Sequence, residues 1–412
     1  MIHNHKGQNF TANTKLALSP FFERTSKLNQ SQEWKRWGRH LSATQYDLQH
    51  ENEYFAIRTK SALIDISPLY KYSVCGKNAT NFLNTIVTRN ILTCKIGQVM
   101  YTPWCDEDGK VIDDGTIQRL EENQYRLTSA EPNLDWLLDN ASGLDVIIKD
   151  ESRHIAALAL QGPNSRYILN TISSKSLDEL KFFWLMHTEL NGLKATISRT
   201  GYTGDLGYEI WIDPAFALDI WDMLMESGKP FGITPVGLNA LDMARIEASL
   251  ILLDVDYISS RHALIDMRKS SPFELGLDWT VKMTNKNFLG KNSLLKEKSA
   301  GSSWKFRGIE IEWEPLEEEF KKVGLPPCLP IMAWRNSTPI YHKNLQIGYA
   351  TSGCWSPMLK RYIALAHVQS KHASIGTKLE FEIKVEHIRK LTPATIVDTP
   401  FYNPKRKRSC PK

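Results

Sequence analysis

Between Arg199 and Ile212 the chain reads R-T-G-Y-T-G-D-L-G-Y-E-I-W-I, and this stretch restricts the folds open to it. Gly201, Gly204 and Gly207 punctuate a β-rich run, committing this part of the chain to turn and strand. The run places one carboxylate, Glu209, between Tyr208 and Ile210. An unpaired buried carboxylate costs on the order of several kcal/mol in lost hydration. Glu209 therefore needs a dedicated partner, supplied by the protein or by a ligand.

At 412 residues the chain has room for two or three domains, each with its own core. A hydrophobic fraction of 42% and a charged fraction of 24% are those of an ordinary soluble globular protein. Part of the net charge of +5 sits in Lys405-Arg406-Lys407-Arg408. That run reads as a solvated basic end, with a nuclear signal or a polyanion contact as the alternatives. The remainder is close to balanced, so there is no nucleic-acid footprint.

The six cysteines have no C-x-x-C spacing, which leaves no metal ligand set and suits a reducing compartment. Met1 to Asn13 is polar, with no apolar stretch for secretion, and nothing approaches a membrane-spanning run. The expected location is the cytoplasm.

The polar first fifty residues, with a Trp-Lys-Arg-Trp cluster at Trp34 to Trp37, are expected to wrap onto a later domain. Glu51 onward reads as a helix entering a buried strand, Leu63 to Ser67. A strand at Tyr72 to Cys75, a helix at Ala79 to Ile86, strands at Val99 to Trp104, Val111 to Arg119 and Tyr125 to Thr128, and a helix at Asn133 to Asn140 follow. This β-α-β-β-α-β succession over about eighty residues points to a split βαβ sheet.

Ile155 to Leu160 is an apolar strand stopped by Gln161-Gly162-Pro163. Phe216, Ile220 and Leu224 share helical spacing, and Thr234-Pro235 reads as the cap and first turn of a helix running to Leu250. From Lys305, short β-like runs separated by Gly and Pro at roughly ten-residue spacing predict a small all-β barrel or sandwich.

No nucleophile elbow, P-loop or dinucleotide fingerprint is present. Asp113 and Asp114 are adjacent in a strand and so point to opposite faces; one can enter a cleft while the other does not. Cys354 lacks an adjacent base, and His154, His187 and His262 stand alone, so packing is the simpler reading of each. The same holds for the twelve tryptophans taken singly.

Seven motifs then occur in one order: F-A-I-R-T-K-S-A-L-I-D-I-S, D-E-D-G-K-V-I-D-D, L-A-L-Q-G-P-N-S, R-T-G-Y-T-G-D-L-G-Y-E-I, A-R-I-E-A-S-L, F-L-G-K-N-S-L and T-S-G-C-W-S-P. From about Glu51 to Pro400 the chain resembles the glycine-cleavage T-protein (aminomethyltransferase) family. The resemblance implies an α+β, three-domain ring with tetrahydrofolate in its centre. Residues 1–64 and 151–300 would form the folate-binding core, 65–150 the ferredoxin-like unit, and 301–412 the barrel with its basic tail.

The resemblance also assigns roles. Glu209 would accept the paired N–H donors of the pterin edge, and Asp113 would be the catalytic carboxylate, stabilising cationic character on the transferred carbon. Tyr202, Thr128 and Arg245 would complete the folate contacts, with Arg245 also able to pair with Asp242 or Glu247 on its helix. No metal is implied.

Three positions depart from the family pattern. Pro68 stands where the family has a histidine, Thr128 where it has an asparagine, and Leu241 where it has an arginine for the folate tail. The implied reaction is aminomethyl or methyl transfer from a small one-carbon donor to folate, with a lipoyl-carrier protein as partner if the reaction is glycine cleavage. The alternatives are a folate-dependent demethylase of a methylated amine, sulfonium compound or aryl ether, and a non-catalytic folate-binding iron–sulfur assembly factor.

Overall fold

The computed structural model describes residues 16–284 and 287–409; the readings on Met1 to Asn13 and on Cys410 lie outside them. It is a mixed α+β protein built on three large β-structures.

The first is a six-stranded sheet in the order Leu185–Leu190, Leu193–Ser198, Gly207–Ile212, Ala156–Gln161, Ser61–Asp65, Ile233–Pro235. Strand alternation gives it two different faces. Leu63, Leu158, Leu160, Ile197 and Ile210 form one core with Ile168, Leu169, Ile220 and Leu224 of the helices Ser165–Ile172 and Ala217–Gly228. Ile64, Ala157, Ala159 and Trp211, on the other face, join a second core that also takes in Cys105, Val111, Phe306, Cys354, Ile363 and Leu365. That shared core is where the three β-structures meet.

Thr234 and Pro235 do not open a helix. They belong to the short strand Ile233–Pro235, parallel to Ser61–Asp65, and the helix is Leu238–Glu247. A Cβ on Gly237 would lie 2.4 Å from the Thr44 carbonyl oxygen, so this entry requires glycine. The Gly237 N–H donates to Glu53 Oε2 at 2.7 Å. The helix start is thus satisfied by a buried carboxylate far away in sequence, not by Thr234.

The second sheet runs Val99–Cys105, Val111–Glu121, Gln124–Ser129, Tyr70–Cys75, Ile147–Asp150, with every neighbouring pair antiparallel. The order is β-α-β-β-β-α-β, one strand more than expected, because three strands lie between the helices Ala79–Ile86 and Leu134–Asn140; Ile147–Asp150 closes the unit against Tyr70–Cys75, and Ser61–Asp65 belongs to the first sheet.

The third structure is a closed six-stranded barrel, Trp304–Ile311, Arg361–Gln369, Leu345–Ser356, Thr338–His342, Lys378–Val385, Ile388–Val397. Strand Thr338–His342 and helix Trp313–Lys321 interrupt the even spacing read from the sequence.

Residues 16–50 pack on the six-stranded sheet. Phe21 is buried in its helix-side core against Trp221, and the Ser19 hydroxyl donates to Asp65. The basic run 405–408 is not a solvated end. Arg406 donates to the buried Asp205 through Nε at 2.6 Å and Nη2 at 2.8 Å. Arg199 Nη2 in turn donates to the carbonyls of Arg406, Lys407 and Ser409 at 3.2, 3.2 and 2.7 Å. The tail therefore straps the glycine-rich stretch. Among the described residues no helix is long and apolar enough to cross a membrane, and no cluster of His, Cys, Asp or Glu is placed to hold a metal ion.

Candidate functional site

The glycine-rich stretch is held by Gln161, from the L-A-L-Q-G-P motif. Its Nε2 donates to the Thr200 carbonyl at 3.2 Å, and its Oε1 accepts from the Thr203 hydroxyl at 2.8 Å. A Cβ on Gly201 or Gly207 would fall 2.1 or 2.3 Å from that amide, so both glycines exist to let the Gln161 side chain lie between them. Gly204 has φ +74°, a left-handed conformation that favours glycine.

Glu209 leaves this turn on the inner face of the six-stranded sheet, between Ser198 and Ala159 of the neighbouring strands. Its Oε2 accepts from the Thr200 hydroxyl at 2.7 Å and more weakly from Ser198 at 3.4 Å. Among the described residues its Oε1 has no hydrogen-bond partner. Desolvation raises its pKa, and the two hydroxyls offset part of that rise. The protein thus supplies half a partner for the carboxylate.

The facing wall is the strand Val111–Glu121. A bulge beside Cys105 sets its phase: Val111 pairs with Cys105 and Asp113 with Trp104. Asp113 therefore shares the side of Trp104 and Ile117, in its own sheet's core, while Asp114, Thr116 and Gln118 face the other way. Asp113 is 1% exposed. Its Oδ1 accepts from the Asp114 N–H at 2.7 Å, and its Oδ2 from the Glu131 N–H at 3.0 Å and Asn133 Nδ2 at 2.8 Å. Burial, then the Asp114 charge, pushes its pKa well up.

Asp114 has different company. The Tyr257 hydroxyl donates to its Oδ1, and the Tyr101 phenol lies close enough to influence its charge. Burial raises its pKa while both phenols oppose the rise. Tyr101 stacks on Trp279 with centroids 6.0 Å apart at 24°.

Tyr257 is placed by a charge cluster. The fully buried Arg245 binds Asp242 through Nε at 2.8 Å and Asp256 through Nη1; Glu247, its other suggested partner, binds Arg58 instead. Asp256 also accepts from Thr351 and Ser352 of the barrel at 2.5 and 2.8 Å, and its carbonyl accepts from His367 Nε2 at 2.6 Å. Arg245 is therefore committed to tying its helix, the Tyr257 loop and the barrel together. Its Nη2 is buried without a partner.

The Tyr202 hydroxyl donates to the Ile251 carbonyl. Thr128 Oγ1 lies 2.8 Å from Thr116 Oγ1 and accepts from the Thr116 N–H at 3.1 Å. Both are engaged within the protein beside the site. Leu241 is buried in the shared core, and Arg335, from the segment before the barrel strand Thr338–His342, donates to Asp242 at 2.7 Å. Cys354 is buried and its thiol is pushed far up by desolvation, which leaves it inert.

Two site residues escaped the sequence reading. Gln118 is fully buried, its Nε2 without a partner among the described residues and its Oε1 taken by Arg126 at 3.1 Å. Lys71 is fully buried, donates to the carbonyls of Ser67 and Leu69 at 2.7 and 2.8 Å, and has its pKa lowered to about 7 by desolvation. The available signal was polar alternation: Asp114, Thr116 and Gln118 on one strand, Arg126 and Thr128 on the next, Lys71 and Ser73 on the third.

Residues 3–285 match the family model described as the GCVT N-terminal domain, and residues 323–403 that of the glycine cleavage T-protein C-terminal barrel domain. An aminomethyltransferase from Halothermothrix orenii is 37% identical over 336 residues, covering 81% of this chain and 87% of that protein. One from Clostridium botulinum is 37% identical over 362 residues, covering 86% and 90%. The crystal structure of glycine cleavage system aminomethyltransferase T from Bartonella henselae shares the fold, with a TM-score of 0.79 at 23% identity, covering 94% of this chain and 99% of that one. By these matches, along most of its length, the chain belongs to the glycine cleavage T-protein family.

Proposed function

We propose that this protein is a tetrahydrofolate-dependent aminomethyltransferase in which Glu209 holds the pterin and Asp114, rather than Asp113, serves the reacting end. The observation carrying this reading is the division of labour between adjacent aspartates. Asp113 spends both oxygens inside its own domain, whereas Asp114 faces the interface with the six-stranded sheet, held by the Tyr257 phenol with Tyr101 nearby.

The residues fit a pterin. Among the described residues Glu209 Oε1 is an acceptor without a partner and Gln118 Nε2 is a buried donor without one. A carboxylate matches adjacent N–H donors on the heterocycle's edge, and an amide N–H matches its carbonyl. Bound tetrahydrofolate would supply the nitrogen that accepts the one-carbon unit.

The protein's own contribution is position and charge. Glu209, braced by Thr200, fixes the ring. Tyr101 and Tyr257 favour the ionised form of Asp114 against burial, so a fixed anion faces the positive charge that develops on the moving carbon. Tyr101 on Trp279 adds an aromatic wall. Arg245 acts through Asp256 and Tyr257 as a positioning residue.

The donor in this reading is an aminomethyl group borne by a lipoyl-carrier protein; its C–S and C–N bonds break as the carbon bonds to two folate nitrogens, giving 5,10-methylenetetrahydrofolate, ammonia and the carrier's dihydrolipoyl dithiol. The relatives carrying the aminomethyltransferase name match along most of the chain, so the demethylase and assembly-factor readings give way. All five cysteines among the described residues are free, which suits work in the cytoplasm. The test is product formation from an aminomethyl-loaded lipoyl carrier and tetrahydrofolate. Turnover in the native protein that collapses in Asp114→Asn supports the assignment; an active Asp114→Asn variant, or no turnover with a competent carrier, removes it.

A further inference from the structure

A cavity of about 660 Å³, lined by neither Asp114 nor Glu209, opens where Arg126 of the second sheet meets the strands Leu185–Leu190, Leu193–Ser198 and Gly207–Ile212. Its lining holds three permanent cations, Arg126, Lys175 and Lys194, against two carboxylates, Glu189 and Asp213. Asp213 is partly committed, since it accepts from the Ala215 N–H at 2.9 Å.

Arg126 is the informative member. It is half-buried, its guanidinium lies 5.3 Å from the centroid of the Trp211 ring, and its Nη1 donates to Gln118 at 3.1 Å. Among the described residues it has no ion-pair partner and no other hydrogen bond. Burial, only partly offset by the Glu151 charge, pulls its pKa down to about 10. A half-buried guanidinium with most of its N–H donors unused, over an aromatic face and in an open cavity, is an incomplete ion pair.

We propose that this cavity is a second ligand subsite, binding a small carboxylate-bearing molecule with Arg126 as ion-pair partner and Trp211 as apolar wall. Lys194 and Lys175 add attraction from the exposed side of the cavity. The subsite also reaches the pterin carboxylate. Trp211 Nε1 donates to the Ser198 hydroxyl at 3.1 Å, and that hydroxyl donates to Glu209. Occupancy that shifts Trp211 therefore alters the hydroxyl bracing Glu209. This second step rests on the folate reading above; the first does not.

Calorimetric titration of the full chain without folate separates them, using succinate, L-glutamate and inorganic phosphate as probes. The expected result is binding of the carboxylates ahead of phosphate, weakened roughly tenfold or more by Arg126→Gln, less by Arg126→Lys, and about two- to threefold by Lys194→Gln. Lys194 is exposed, so its variant keeps the test informative should Arg126→Gln fold poorly. Absence of carboxylate binding, preference for phosphate, or unchanged binding in both the Arg126→Gln and Lys194→Gln variants overturns the subsite. Repeating the tetrahydrofolate titration with saturating succinate tests the coupling: native affinity should change by roughly threefold or more and the Arg126→Gln affinity should not. Equal responses overturn the coupling while leaving the anion result standing.

Discussion

Asp113 and Asp114 are joined by a peptide bond and serve opposite sides of one strand, the first accepting from Glu131 and Asn133 and the second from Tyr257. Their substitutions should therefore separate stability from catalysis. Asp114→Asn should lower kcat by about 10²–10³, the scale of losing one aligned electrostatic group, with little change in Tm. Asp113→Asn should cost about 1–3 kcal/mol of stability with a smaller kinetic loss. Thermal denaturation and single-turnover kinetics on both variants check this, and the reverse pattern would restore the catalytic role to Asp113.

Glu209 is a carboxylate the free protein satisfies only partly, so removing its charge should trade binding for stability. A raised folded-state pKa means the folded protein holds that proton more tightly than the unfolded chain. The associated stability is present below the unfolded carboxylate value and is lost as pH rises through the folded one. Glu209→Gln should then melt higher than the native protein at pH 7 without folate, by about 1 kcal/mol, and show no measurable tetrahydrofolate binding. Native-like folate affinity in a calorimeter would contradict this.

Lys71 gives the opposite slope. Its folded pKa is depressed to about 7 from an ordinary 10.5, because the amine is buried against two carbonyls. Between those values the unfolded chain binds the extra proton, so stability rises with pH across that window, by at most about 1.4 kcal/mol per unit. Below pH 7 the amine is charged in both states and the burial cost is fully present. In Lys71→Met the slope of stability between pH 7 and 10 should flatten relative to native, as urea titrations at three pH values would reveal.

Asp256 joins three parts of the chain, receiving Arg245, the Leu252 N–H, Thr351 and Ser352. Asp256→Ala takes from the buried Arg245 one of its two carboxylates, leaving Asp242 and the Leu250 carbonyl, and breaking a pair of this kind costs about 3–5 kcal/mol. Because Tyr257 follows directly, kcat should fall as well. Tyr257→Phe removes the phenol donor without the charge defect, so a kinetic loss there with little change in Tm would assign that part of the effect to Asp114.

The seven motifs and the short β runs made the family and the barrel readable from residues alone. What was not readable depended on contacts across the chain. Nothing local indicates that Thr234-Pro235 joins a sheet edge, since the reasons are Ser61–Asp65 alongside and Thr44 against Gly237. The choice between Asp113 and Asp114 turned on a bulge at Cys105, which shifts the phase of the facing strand. Glu209 gave a clear sign that a partner was needed, yet half of it came from Thr200 and Ser198, within a dozen residues. Arg406 looked solvated because Asp205 lies 201 residues earlier.

That last separation also orders events during synthesis. Arg199, which opens the glycine-rich stretch, bonds to carbonyls 207, 208 and 210 residues further on. At about 5–20 residues per second, the ribosome needs on the order of ten to forty seconds after finishing the loop before its strap exists. Through that interval Asp205 lacks the Arg406 guanidinium and the glycine-rich turn leading into the Glu209 strand is unlatched. A nascent chain stalled before residue 402 would hold all of its chemistry-bearing side chains and still lack the strap on its glycine-rich stretch.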